Sequence, residues 1–149
     1  MPLSSFSATG PASDGRVRLA DNADLGGNLR DALLKPTRCY ANEVADLNNT
    51  VRLVAAAHIS GGGLIDNPPR IFPEGLGAVL RRGRWPVPPI FSLIQRLGDI
   101  DDAEMAHVFN MGLGMVLVLS PEDVRSVVQQ LDDAFIVGEI VPGDGVQIV

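Results

Sequence analysis

Apolar residues run almost without interruption at 53–57 and again at 115–119. Short continuous runs of this kind predict strands covered on both faces, and the second, Met115-Val116-Leu117-Val118-Leu119, is expected at the centre of a sheet. Residues 76–80 predict a third strand, and 135–141 and 146–149 a fourth and fifth, with Pro142-Gly143-Asp144-Gly145 between them as a turn that permits a hairpin. Elsewhere apolar positions recur at helical spacing. Leu29-Arg30-Asp31-Ala32-Leu33-Leu34 predicts a short helix stopped ahead of Pro36, and Tyr40, Val44 and Leu47 mark a second over 39–47. Ile90, Phe91, Ile94 and Leu97 form the inward face of a helix at about 90–97 that Gly98 ends. Asp101, Asp102 and Glu104 suit the first turn of a helix running to about residue 109. Ser120 as N-cap, Pro121 as first helical residue and Asp123 three positions on open another, with Val124, Val127, Val128 and Leu131 inward. Pro68, Pro69 and Pro73 are expected to hold their segment extended. Residues 1–24, and in composition as far as 28, are small and polar without a period and read as a poorly ordered arm, with a weak strand at 15–19. The remainder, 25–149, reads as one domain of α/β or α+β class, a mixed sheet covered by helices, without a Rossmann-type repeat.

Composition narrows the chemistry. With 12 basic and 18 acidic residues among 149 the formal charge is −6, which opposes nonspecific binding to nucleic acid or to an anionic membrane. Lys35 is the only lysine, so there is no P-loop lysine and little scope for a Schiff base. Cys39 is the only cysteine, which forbids an internal disulfide or a cysteine-rich zinc cluster and fits the cytoplasm. No apolar run reaches the length of a membrane span, and no signal-peptide pattern opens the chain. Arg81, Arg82 and Arg84 read as a solvated face.

The candidate site is the loop after the first apolar run: His58, then Ser60, Gly61, Gly62 and Gly63, then Asn67 and Arg70, read as strand, loop and short helix. Three successive glycines cost backbone entropy and belong where φ is positive or where something approaches the main chain closely. Either of two readings accommodates them: a tight turn between packed elements, or a set of bare N–H groups facing a phosphate or carboxylate. His58 is correspondingly a core histidine bonded to a backbone carbonyl or a group at the site.

Several motifs stand in register. Leu33-Leu34-Lys35-Pro36-Thr37-Arg38-Cys39-Tyr40 is followed by His58-Ile59-Ser60-Gly61-Gly62-Gly63-Leu64 with Asn67, Pro69 and Arg70. Trp85 with Pro88 and Phe91 follows, then Glu104-Met105 with Phe109-Asn110-Met111-Gly112-Leu113-Gly114-Met115. From about residue 25 to its end the chain resembles the carboxy-terminal half of phosphoribosylformylglycinamidine cyclo-ligase, also called aminoimidazole ribonucleotide synthetase. The resemblance implies a three-layer α/β sandwich. It implies a purine-synthesis step in which ATP activates the formyl oxygen of formylglycinamidine ribonucleotide as a phosphate ester and a nitrogen then closes the imidazole ring. ATP and magnesium are held mainly by the family's amino-terminal half, and the carboxy-terminal half completes the substrate cleft.

On that resemblance Ser60, Gly61, Gly62 and Gly63 would hold a phosphate, with His58, Asn67 and Arg70 orienting the loop and Asn110, Gly112 and Gly114 lining the cleft from a second segment. Arg38 would be structural or ligand-binding, no general base is assigned, and no metal or cofactor is expected on this chain alone. The chain departs from the family at its start, Pro2-Leu3-Ser4-Ser5-Phe6-Ser7, where a Gly-Leu-His-Ser-Asn-Gly motif is usual. It also departs at Ala106-His107-Val108, where the pattern has an aromatic, an arginine and a hydroxyl residue. The expectation is a substrate-cleft half that is inactive as an ATP-dependent ligase without an ATP-binding partner chain, the rival being a noncatalytic module that kept the fold. Its occupancy of a homo-oligomer is left open. The His58 to Gly63 signature points away from selenophosphate synthetase and thiamine-phosphate kinase relatives.

Overall fold

The computed structural model describes residues 21–149, so the expected strand at 15–19 lies outside the described residues. Strands β1 (Asp21–Asn22) and β2 (Gly27–Asn28) pair antiparallel about a single 3-10 turn. Helix α1 (Leu29–Leu34) begins on Asn28, whose side chain accepts from the Arg30 amide at 2.8 Å. Next come α2 (Ala41–Thr50), β3 (Leu53–His58) and the one-turn α3 (Gly63–Asp66). Residues Pro68–Ile71 form a 3-10 turn and not the extended segment expected. Proline's fixed φ suits the first positions of a helical turn as well as an extended chain, and Phe72 N–H closes the turn on the Pro69 carbonyl at 3.1 Å.

The chain continues through β4 (Leu76–Leu80), α4 (Pro89–Gly98), α5 (Asp102–Val108), β5 (Met115–Leu119), α6 (Pro121–Gln130), β6 (Gly138–Pro142) and β7 (Val146–Ile148). Asp101 caps α5, accepting from the Glu104 amide at 2.8 Å, with the acids in the first turn where the helix dipole favours them. Ser120 precedes α6, but its hydroxyl bonds the Asp123 carboxylate at 2.9 Å instead of a backbone amide, and that carboxylate accepts from Arg52 N–H at 3.1 Å. On the inward face of α6 Val127 is buried, whereas Val128 is exposed.

The residues fall into two compact units. In the one made of Met1–Thr37 and Pro88–Ile100, α4 packs on the 3-10 turn at Ala23–Leu25 and on α1. Its buried anchor is Leu93, 3% exposed, and Leu97, expected inward, is 48% exposed. The helix starts at Pro89, and Leu93, one turn in, is its covered residue, while Leu97 lies on the last turn. The left-handed residue that closes α4 is Asp99, φ 49°, and not Gly98.

The other unit, Arg38–Val87 with Asp101–Val149, carries the remaining strands in a mixed α/β arrangement. Strand β3 runs antiparallel to β5, with His58 opposite Met115 and Leu53 opposite Leu119. A second sheet has the order β6-β4-β7, antiparallel on one side of β4 and parallel on the other. The expected hairpin is therefore absent: β4 lies between β6 and β7. The turn after β6 wraps the start of β4 instead, Gly143 N–H donating to the Gly75 carbonyl and Ala78 N–H to the Gly145 carbonyl, both at 2.9 Å. Gly77 permits this, since a Cβ there would stand 2.7 Å from that carbonyl oxygen. A buried cluster of Ala57, Ile59, Leu64, Leu80, Trp85 and Leu113 forms the core.

Strand β5 is not central among the described residues. It pairs with β3 alone, and all five of its residues are only half-buried. A cleft of about 230 Å³ runs beside it, walled on its far side by residues 133–140.

Candidate functional site

At the His58 end of β3 the chain turns through Ser60 and Gly61 into α3. Gly62 is left-handed at φ 97° and serves as N-cap, and Gly63 follows at φ 54°. The three glycines are not equivalent. A Cβ on Gly63 would lie 2.2 Å from the carbonyl oxygen of Ala106 and 2.7 Å from that of Phe109, so this buried glycine seats α3 on the end of α5. Its N–H is already given to the Ser60 carbonyl at 3.0 Å. Gly61 is exposed, with nothing within 4 Å of a Cβ. Neither Gly61 nor Gly62 gives its N–H to any acceptor among the described residues.

Asn67, 4% exposed, is the brace of the loop: its side-chain amide donates to the carbonyls of Gly61 at 3.1 Å and Gly63 at 2.9 Å. Arg70 lies three residues further on the 3-10 turn, exposed and without an ion pair among the described residues. His58 is exposed, so it is not a core histidine, and its ring sits 6.4 Å from that of Tyr40. Asp66, at the end of α3, meets His107 of α5, Oδ2 to Nε2 at 2.9 Å. That pair spans 41 residues and was invisible to spacing, although His107 was already conspicuous as the family's usual arginine position.

The second glycine segment reaches the same end of the β3–β5 ladder, where Ile59 N–H donates to the Gly114 carbonyl at 2.9 Å. Asn110 shapes its own loop, its side-chain oxygen accepting from Gly112 N–H at 3.0 Å. Met111, φ 50°, and Gly112, φ 97°, are both left-handed, and the Met111 carbonyl is fixed by the Trp85 indole N–H at 3.0 Å. Gly114 is a close-approach glycine: a Cβ would fall 2.1 Å from the Tyr40 hydroxyl.

Beside Tyr40 lies a hollow of about 140 Å³ lined by Arg38, Tyr40, Glu43, Trp85, Gly112 and Gly114 among others. The structure thus joins Gly112 and Gly114 to Arg38 around one space, which Ser60, the three glycines of the first loop and Asn110 do not line. The Arg38 guanidinium bonds Glu43 at 2.8 Å and pairs with Asp133, and stands 5.4 Å from the centre of the Tyr40 ring. The hydrogen bond from Arg38 holds the Glu43 carboxyl below its ordinary value, and the same bond, with the Asp133 charge, raises Arg38 further. Arg38 is therefore anchored on protein carboxylates. Among the described residues no group of three His, Cys, Asp or Glu side chains could hold a metal ion. No helix among them is long and apolar enough to cross a membrane.

The sequence profile described as AIR synthase related protein, C-terminal domain, matches residues 6–149. The chain belongs to that family. Phosphoribosylformylglycinamidine cyclo-ligase of Desulfitobacterium hafniense is 47% identical over 121 residues, covering 78% of this chain and 36% of the relative. The protein of the same name from a Thermoanaerobacter species is 45% identical over 126 residues, covering 82% of this chain and 37% of the relative. A chloroplastic cyclo-ligase of Arabidopsis thaliana is 41% identical over 157 aligned positions, covering 98% and 40%. This AIR synthase related C-terminal domain thus spans little more than a third of the length of the curated relatives it matches.

Proposed function

We propose that this domain is the substrate-cleft half of a phosphoribosylformylglycinamidine cyclo-ligase, acting on formylglycinamidine ribonucleotide in purine biosynthesis, in the cytoplasm. The observation that carries the proposal is the family match over 6–149 together with 45–47% identity to proteins of that name. In this reading the open amides of Gly61 and Gly62 receive a phosphate oxygen, and Asn67 keeps them aligned by holding the carbonyls on either side. His58 and Arg70 flank the loop, and Gly112 and Gly114 face the neighbouring hollow. ATP and magnesium then belong to the other half of the enzyme, as the resemblance to the family implies, and phosphoryl transfer depends on positioning that metal and those phosphates. The 149 residues alone are then inactive as a ligase.

The test is to combine the chain with the part of the Desulfitobacterium relative outside the matched stretch and to follow ADP release with the amidine substrate. Turnover in the mixture and none in either component is expected. Gly61→Asp is the informative variant, since a side chain there meets no protein atom within 4 Å. It should lower substrate affinity at least tenfold by setting a carboxylate against the phosphate, with an unchanged melting curve. No turnover in the mixture, with calorimetric substrate binding retained, would favour the noncatalytic module to which Ala106-His107-Val108 already points.

A further inference from the structure

The cleft beside β5 is lined as an empty strand position would be. Along a strand alternate side chains point to opposite faces, so a space lying on one face of a sheet touches every second residue. This cleft is lined by all five consecutive residues of β5, 115–119, and by the consecutive residues 138–140 of β6. It therefore runs along the edges of the two strands and not over a face of either. Among the described residues strand β5 pairs only with β3, and β6 only with β4. Beyond those ladders, the backbone groups of β5 and β6 make no hydrogen bond to described residues. The other lining residues are largely apolar, among them Val124 and Val127 of α6, Phe72 and Leu80. Val128, Phe135, Ile136 and Ile140, all exposed large apolar residues, line the same space. Strand-edge amides and carbonyls on both sides of a largely apolar cleft offer a template that one further strand can pair with on both sides.

We propose that an extended segment of about five residues, apolar on both faces, inserts between β5 and β6 and joins the two sheets into one of order β3-β5-insert-β6-β4-β7, by strand addition. The occupant comes from the polypeptide that makes up the rest of the relatives' length, since this chain covers only 36% of the Desulfitobacterium protein. Its side chains are apolar because the cleft is covered on both faces, with acidic groups, Asp133 and Glu139, among its lining residues. The inference rests on the proposed function for the source of the strand, and the test separates the two.

Hydrogen exchange is measured on the full chain alone and mixed with the remaining part of the Desulfitobacterium relative. The expected result is at least tenfold slower exchange of amides in 115–119 and 138–141 in the mixture. Ile136→Arg, at a residue 58% exposed and outside any strand, should abolish the protection and weaken binding of the added part at least tenfold while leaving the chain's circular dichroism and melting unchanged. Val54→Arg, equally exposed but not lining the cleft, should change neither. Protection without turnover upholds the inserted strand and sinks the cyclo-ligase reading, whereas turnover with both edges still exchanging freely does the reverse. Protection that grows with the concentration of this chain alone would overturn the proposal in favour of a second copy as the source, and protection lost on deleting residues 1–20 would overturn it in favour of the chain's own start.

Discussion

A run of three identical residues conceals three different physical demands. Gly63 is needed for space and for conformation together: φ is 54°, and a Cβ would be 2.2 Å from a backbone carbonyl that cannot swing away. Left-handed geometry costs a non-glycine residue about 1–2 kcal/mol, and forcing atoms into a packed site costs about 1–3 more. Gly63→Ala should thus destabilise the domain by about 3 kcal/mol, a large share of a typical total of about 5–15. Gly61, with no positive φ and nothing nearby, should tolerate alanine within about 0.5 kcal/mol. Urea melts of the two variants measure both, and equal losses would show that the loop is a single structural corner with no residue spared for a ligand. Under the proposed function turn and cradle are then not alternatives: Gly63 makes the turn and Gly61 leaves its amide open.

At the scale of elements, α2 is tied to its surroundings at its first turn, where Glu43 receives Arg38. The bond keeps the folded-state Glu43 carboxyl below its ordinary 4.5. The unfolded chain then binds the proton first, so the contribution is complete above that ordinary value and is lost as pH falls through the lower, folded one. Stability measured by denaturant from pH 6 down to 2 should fall less steeply in Glu43→Gln than in the parent across that acidic window, and parallel curves would show the pair to be idle. The pair is solvent-exposed, so the difference should shrink in high salt. Elements of this kind were legible from the sequence because their signals are local. Pro36 and Asp101 mark helix ends within a few residues, and α1, β3 and β4 fall where the apolar pattern put them. Pairing was not legible. The continuous apolar run of β5 carries the signature of a central strand, yet its second neighbour is not among the described residues. The tetrapeptide after β6 has hairpin chemistry, yet β4, some sixty residues earlier, takes the place between β6 and β7 because Gly77 and Gly138 let backbones close on it. The site shows the same division. The loop was legible as glycines, whereas Asp66 with His107, and Arg38 with Asp133 across 95 residues, are contacts that only the fold creates.

For the whole molecule, the balance of buried and exposed apolar surface sets the last expectation. The larger unit's core cluster is six residues, while β5 is only half-covered and Phe135, Ile136 and Ile140 stand in the open. A partner that binds only the folded form stabilises it by mass action, so it should register in the melting of the chain. At a hundredfold excess over its dissociation constant such a partner adds about 2.7 kcal/mol. For a domain near 150 residues each kcal/mol raises Tm by roughly 2–4 °C, giving roughly 5–10 °C. Calorimetric scans with increasing amounts of the remaining part of the Desulfitobacterium relative should show Tm climbing with the logarithm of its concentration. Under the proposed function the phosphorylated substrate, added alone, should give a smaller rise, since it would touch a loop already braced by Asn67 and cover none of the open strand edge. A Tm indifferent to the added polypeptide would mean that the exposed apolar cleft is part of the finished fold and awaits nothing.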